Sequence, residues 1–159
     1  MNIFENYFTE IKKVVSDNQS TLEISEIGNI SSFSVEVPPE HFDFDLSTNI
    51  SLILAKSNKL NPNKLAHTLK VLLLNNISDF KEIEVAGPGF INIKLSEEGY
   101  VSNINKIFKN GNKYGSKESN DTYNIEFVSA NPTGPMHVGH CRGAIFGDVL
   151  SNLLSFNGN

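Results

Sequence analysis

Cysteine is almost absent: Cys141 is the single one, which excludes an internal disulfide framework. Long apolar runs are missing as well. Nothing approaches the roughly 20 consecutive residues that span a bilayer. The opening MNIFENYFTEIKK contains acidic residues and lacks an apolar stretch followed by a small-residue cleavage site, so it does not read as a signal peptide. Together these absences make a cytoplasmic protein without membrane contact the expectation. There is no internal repeat. An apolar fraction of 39% is enough for a packed core and too high for a disordered chain. The length of 159 residues suits one domain, or a small domain plus the start of a second.

Positive charge is in deficit, with a net charge of -5, which argues weakly against a nucleic-acid partner. The average conceals an asymmetry. Residues 1–45 hold two lysines against nine acidic residues, whereas residues 46–117 hold ten lysines against five. The middle segment is thus net basic, as a phosphate-binding surface requires. Ordinary solvated helix faces would give the same pattern.

Ile3, Phe4, Tyr7, Phe8, Ile11, Val14 and Val15 recur at helical spacing and predict an amphipathic helix. Phe33, Val35 and Val37 alternate and predict a strand stopped by Pro38-Pro39. Leu46 to Lys59 reads as a second helix, with Ile50, Ile53 and Leu54 inward. Asn61-Pro62 opens a third, since Asn caps well and Pro fits the first turn; its apolar face is Leu65, Leu69, Leu72 and Leu73. Ile83 and Val85, then Phe90, Ile91, Ile93 and Leu95, predict two strands around Gly87-Pro88-Gly89. Pro88 and Gly89 are expected at the central positions of a type II turn. No Lys-Ser/Thr follows these glycines, so they do not match a P-loop.

Ser96 to Asn110 returns to helical spacing through Val101, Ile104, Ile107 and Phe108. The polar run GNKYGSKESND, residues 111–121, reads as a linker. After it, Tyr123 to Val128 predicts a strand, Ser129 to Met136 a Pro/Gly-rich loop, and His137 to Phe156 a long helix. Ile145, Phe146, Val149, Leu150, Leu153 and Leu154 are expected to face inward, with Gly158 at the C-terminal cap. Strand, glycine-bearing loop and helix is how a doubly wound nucleotide-binding fold begins.

Chemistry concentrates in residues 126–140, EFVSANPTGPMHVGH. His137 and His140 lie three apart at a helix start and so share a face. Helix N-termini offer free N–H groups and positive partial charge, which attract phosphate, and Gly139 permits close approach to the backbone. Such a site could stabilise charge that develops on a triphosphate. Other readings stand beside this one. The histidine pair could be purely structural. His137, His140 and Cys141 could hold a metal, but the spacing fits no zinc pattern and only His41 and His67 remain as further histidines. A histidine general base would need a Ser or Cys in a nucleophile elbow, and none is present.

His-Val-Gly-His resembles the HIGH signature of class I aminoacyl-tRNA synthetases. The longer EFVSANPTGPMHVGHCRGAIFGD is similar, almost position by position, to the arginyl-tRNA synthetase version. IEVAGPGFINIKL, FDFDLSTNISLILAK and NPNKLA look like that family's N-terminal appended domain. The resemblance runs from about Val35 to Gly158. It implies an α+β appended, tRNA-contacting domain over residues 1–115, a linker at 116–122, and the first strand–loop–helix of a Rossmann-like catalytic domain at 123–159.

The implied activity is ATP-dependent attachment of arginine to its cognate tRNA through arginyl-adenylate. In this reading His137, Gly139 and His140 bind ATP, and the two histidines stabilise the α-phosphate under attack. Glu126 faces the substrate guanidinium, a charge-assisted pairing. Ser129 and Asn131 hold the α-amino group. Phe90 and Asn92 contact the tRNA, an aromatic and an amide suited to an extruded base; a core aromatic and a solvent-facing amide are the plainer alternatives. Partners would be tRNA, ATP and L-arginine, with Mg2+ accompanying ATP, no resident metal, no tightly bound cofactor, and a monomeric intact enzyme.

Cys141 stands where the family often has a small residue. The lysine-bearing KMSKS loop and the anticodon-binding domain do not occur in these residues, so the expectation is an N-terminal fragment without turnover of its own. A standalone tRNA-binding module and a non-functional fragment are the alternatives.

Overall fold

In the computed structural model, residues 2–25, 30–117, 119, 121–131 and 133–158 are described. Glu118 and Asn120 of the expected linker and Pro132 of the expected loop lie outside the described residues. The chain divides into two compact units, residues 2–109 and, with Met1, residues 110–159.

The first unit opens with α1 (Ile3–Asp17). Asn2 caps it: the Asn2 side chain accepts from the Glu5 N–H at 2.9 Å, and the Glu5 carboxylate accepts from the Asn2 N–H at 3.3 Å. Tyr7, Ile11, Val14 and Val15 are buried, the stripe that 3.6-residue spacing requires. Strand β1 (Val35–Glu36) is followed by β2 (Leu46–Thr48), α2 (Ile50–Asn58) and α3 (Pro62–Asn76). Asn61 accepts from the N–H groups of Asn63 and Lys64 at 2.9 and 3.0 Å, with Pro62 in the first turn as expected. Strands β3 (Phe80–Ala86) and β4 (Phe90–Leu95) and helix α4 (Glu97–Asn110) complete the unit.

The four strands form one antiparallel sheet in the order β1-β2-β4-β3. Along β4, Ile91, Ile93 and Leu95 face the core with Leu46, Ile50, Leu54, Leu69 and Leu73. Phe90, Asn92 and Lys94 alternate to the other face. The unit is therefore α+β, its core lying between one sheet face and the helices.

Two local expectations fail here. The second helix begins at Ile50, because Leu46–Thr48 pairs with Ile93, Asn92 and Ile91 as a strand. Three residues are too few for period 2 to stand out from a helical run that follows at once. The hairpin turn is shifted by one residue. The Gly89 N–H donates to the Ala86 carbonyl at 3.2 Å, so Gly87 (φ +53°) and Pro88 occupy the central positions. A positive φ at the first of these matches the twist of hairpin strands better than a type II turn does.

The apolar stripe of α4 faces outward. Val101, Ile104, Ile107 and Phe108 are exposed, Phe108 at 81%, while Gly99 and Asn103 are buried. Asn103 Nδ2 donates to Tyr7 Oη at 2.7 Å, and a Cβ on Gly99 would lie 2.8 Å from the Asp79 carbonyl oxygen. Close backbone approach and one buried amide set the rotation of this helix.

In the second unit, α5 (Val138–Phe156) is the long helix. Gly158 takes φ +84° just beyond it and donates its N–H to the Ser155 carbonyl at 3.1 Å, the C-terminal role expected. The expected strand at 123–128 does not form: these residues make no ladder. A strand needs a neighbour for its N–H and C=O groups, and none is present among the described residues of this unit. For the same reason Ile145, Phe146, Val149 and Leu153 are exposed rather than inward, Phe146 at 70%; Leu150 and Leu154 are half-buried. Gly147 alone on α5 is buried, under the Phe127 ring. Among the described residues no helix is long and apolar enough to cross a membrane.

Candidate functional site

His137 is the N-cap of α5. Its Nδ1 accepts from the Gly139 N–H at 3.1 Å, and His140 Nδ1 accepts from the His137 N–H at 3.4 Å. The two rings stack with centroids 3.7 Å apart and planes 24° apart. This is a capping box built from imidazoles, where Ser or Thr and Glu would normally serve. An Nδ1 that accepts carries no proton, so each neutral ring keeps its N–H on Nε2. Two Nε2–H donors and the positive end of a 19-residue helix are thereby brought to one place. Gly139 has a steric reason beyond ligand access: a Cβ there would sit 3.0 Å from His137 Cε1.

Glu126 and Ser129 are joined directly, Ser129 Oγ donating to Glu126 Oε1 at 2.6 Å; both are exposed. Val128 between them has φ +63°, a left-handed conformation that is costly for a β-branched residue. The Ala130 N–H closes this bend on the Val128 carbonyl at 2.7 Å. Asn131 is exposed and takes no part in the Glu126–Ser129 bond. The site residues thus form two pairs, Glu126–Ser129 and His137–His140. Cys141 is exposed at the start of α5. Among the described residues no three His, Cys, Asp or Glu side chains converge as a metal site would require.

Phe90 and Asn92 sit on the outer face of the sheet and line one cavity of about 490 Å³. It is walled by the segment after β1 (Val37, Pro38, Pro39 and Phe42) and by the end of β2. Phe90 is 41% exposed, so it is not the core aromatic of the plainer reading. Asn92 is 2% exposed and accepts from Ser47 Oγ at 2.8 Å, so it is not a solvent-facing amide either. Ser47 and Asn49, which share this cavity, were not singled out from the sequence. Their signal is the β2–β4 register, which the helical reading of 46–59 erased.

Two family models match this chain. Residues 9–95 match the arginyl tRNA synthetase N terminal domain, and residues 103–159 match the catalytic domain of class I (R) tRNA synthetases. An antiparallel appended domain followed by a histidine-capped helix is thus the front of a class I aminoacyl-tRNA synthetase. The chain belongs to the arginyl-tRNA synthetase family. It is 46% identical to the arginine–tRNA ligase of Pelagibacter ubique, over 99% of this chain and 28% of that protein. It is also 46% identical to that of Bartonella quintana, over 99% of this chain and 27% of that protein. The crystal structure of Plasmodium falciparum arginyl-tRNA synthetase superposes with a TM-score of 0.68 at 26% identity, over 98% of this chain and 28% of that one. The chain therefore spans a little more than a quarter of the length of these relatives.

Proposed function

We propose that this chain works as part of an arginine–tRNA ligase, which joins L-arginine to its tRNA through an arginyl-adenylate at the expense of ATP. The observation that carries this reading is the imidazole pair at the head of α5, in a chain of this family. The Nε2–H groups of His137 and His140 would donate to α-phosphate oxygens as charge builds on them, and the N–H groups around Gly139 would receive the triphosphate. Mg2+ would arrive with the triphosphate. Glu126, already oriented by Ser129, would pair with the guanidinium, and Ser129 and Asn131 would hold the α-amino group. Phe90 and Asn92 would contact the tRNA. The intact enzyme would be a cytoplasmic monomer, and these 159 residues alone would not turn over.

The proposed division is residues 1–115, a linker at 116–122, and 123–159. Limited trypsin digestion is expected to cut first at Lys113 or Lys117 and leave a stable piece close to residues 1–115. First cuts within β3 or β4 would refute the division.

Phe90→Ala tests the tRNA-contacting face. Loss of one base–aromatic stack costs about 1–3 kcal/mol, so arginine tRNA should bind roughly 5- to 150-fold more weakly. The melting temperature should stay near wild type, since Phe90 is exposed. Binding should also weaken steeply with salt. Unchanged affinity for Phe90→Ala would remove this face from the contact. Tight tRNA binding with no family-length product in the source cell would favour a standalone tRNA-binding module.

A further inference from the structure

Gly147 is buried in the middle of α5, where glycine is the poorest helix former after proline. Its surroundings account for it. A Cβ at this position would lie 2.1 Å from Phe127 Cγ, 2.2 Å from Phe127 Cβ and 2.7 Å from Phe127 Cδ1. Gly143, one turn earlier on the same helix, would meet nothing within 4 Å. Helix α5 therefore closes on residue 127 at Gly147, and the glycine answers to that contact rather than to a left-handed backbone.

Phe127 belongs to a small, cross-braced bend. Val128, with φ +63°, turns the chain so that Ser129 Oγ donates to Glu126 Oε1 at 2.6 Å, and the Ala130 N–H donates to the Val128 carbonyl at 2.7 Å. Phe127 is the member of this bend that rests on Gly147. A clash at Phe127 Cγ could be relieved by turning the ring. A clash at its Cβ cannot, because Cβ moves only with the backbone. Carbon atoms pack at about 3.5–4.0 Å, so a methyl group at position 147 would push α5 and residue 127 apart by at least about 1 Å. Glu126 and Ser129 would move with residue 127.

Gly147 lies two turns beyond His140, a spacing that returns to the same face of the helix. The imidazole pair and the seat of Phe127 are thus carried by one rigid element. The covalent route between the two pairs is a loop, whose described residues form neither helix nor strand. We propose that Gly147 is a positioning residue for amino-acid recognition, a role that rests on the reading of these two pairs as arginine and ATP contacts. By seating Phe127 against α5, it fixes how far the Glu126–Ser129 pair stands from the His137–His140 pair, and so the length of amino acid that is charged. An arginine with its guanidinium on Glu126 must still bring its carboxylate to the α-phosphate at the imidazoles. Its covalent length is fixed, so one separation of the pairs serves both ends. A guanidino amino acid one methylene longer overshoots it.

The test uses a family-length arginine–tRNA ligase carrying this segment, with Gly147→Ala and Phe127→Ala made separately. The first forces the seat open, and the second leaves it slack. Charging of arginine tRNA is measured with arginine and with L-homoarginine, the analogue one methylene longer. Wild type should prefer arginine by roughly 10- to 200-fold, the worth of one methylene. Gly147→Ala is expected to lower kcat/KM for arginine by about 10²-fold, the cost of a displacement near 1 Å, with KM for ATP within about twofold of wild type. Each variant should reduce the preference over homoarginine by about tenfold. That preference is a ratio taken on one sample, so any unfolded fraction cancels from it.

A wild-type preference retained in either variant would overturn the proposal. So would a rise in KM for ATP that matches the rise for arginine, which would assign Gly147 to helix packing alone. His137→Asn separates this inference from the reading beneath it. If that variant charges tRNA normally, the reading of the site fails. If it slows charging while Gly147→Ala and Phe127→Ala keep the wild-type preference, only the role of Gly147 fails.

Discussion

Replacing His137 with asparagine, in an arginine–tRNA ligase carrying this segment, is expected to slow arginine-dependent ATP–pyrophosphate exchange by about 10²–10³-fold, the cost of removing one preorganised donor from a developing oxyanion. The melting temperature should hold. Asparagine separates the two jobs that His137 combines. Its Oδ1 can take the place of Nδ1 and accept from Gly139, which the ring does at 3.1 Å, and Asn is among the best N-cap residues. It has nothing at the position of Nε2. If the imidazoles serve only to close the helix, the asparagine variant keeps full exchange activity, and the catalytic role fails. If exchange and melting temperature fall together, the loss belongs to the cap. His140→Asn should behave in the same way, since its Nδ1 is likewise engaged, with the His137 N–H at 3.4 Å.

The sequence makes α1 and α3 legible because each carries both a stripe and a cap. α1 and α3 have Asn2 and Asn61 as caps and buried faces at 3.6-residue spacing. The hairpin of β3 and β4 is legible from alternation on either side of Gly-Pro-Gly. What escapes is decided by partners far along the chain. Leu46–Thr48 becomes a strand because β4 lies beside it, 45 residues later. Helix α4 turns its apolar stripe outward because Asn103 reaches Tyr7 and Gly99 lies against Asp79. Periodicity reports that a helix has an apolar side, not which side a buried hydrogen bond will choose.

The site divides along the same line. His137 and His140 sit at a helix start and share a face, as their spacing of three requires, but their tautomer comes from the backbone N–H groups they accept. Glu126 and Ser129 stand three apart, yet a left-handed Val128 lies between them, and nothing in the residue order signals it. The strand and buried helix face expected after residue 122 are long-range features as well. Residues 123–128 find no ladder partner, and the stripe at Ile145, Phe146 and Val149 finds no covering sheet, among the described residues.

Tyr7→Ala should be among the most damaging substitutions in the first unit, at a cost of about 3–5 kcal/mol, the range for emptying a buried aromatic site. Tyr7 is fully buried on α1, with its ring 5.2 Å from that of Phe80 at 50°. Its hydroxyl donates to Asp79 Oδ2 at 3.0 Å and accepts from Asn103 Nδ2 at 2.7 Å, so one side chain ties α1 to the start of β3 and to α4. Tyr7→Phe keeps the ring and removes only these bonds, leaving Asn103 with the Gly99 carbonyl alone. It should cost about 1–3 kcal/mol, the penalty for a broken buried polar pair. The difference between the two variants isolates packing from hydrogen bonding, and urea unfolding of both would measure it.

Burial, opposed by the Asn103 bond and reinforced by Asp79, raises the Tyr7 phenol well above its ordinary value. A raised folded-state value means that this contribution is complete below about pH 10, the ordinary phenol value, and is lost as pH rises beyond it. Tyr100, pushed up to about 12 by its bond to Asp45, contributes in the same direction. Wild type should therefore lose stability more steeply than Tyr7→Phe above that pH. Parallel curves for the two proteins would show that the Tyr7 hydroxyl contributes nothing to holding α1 and α4 on the sheet.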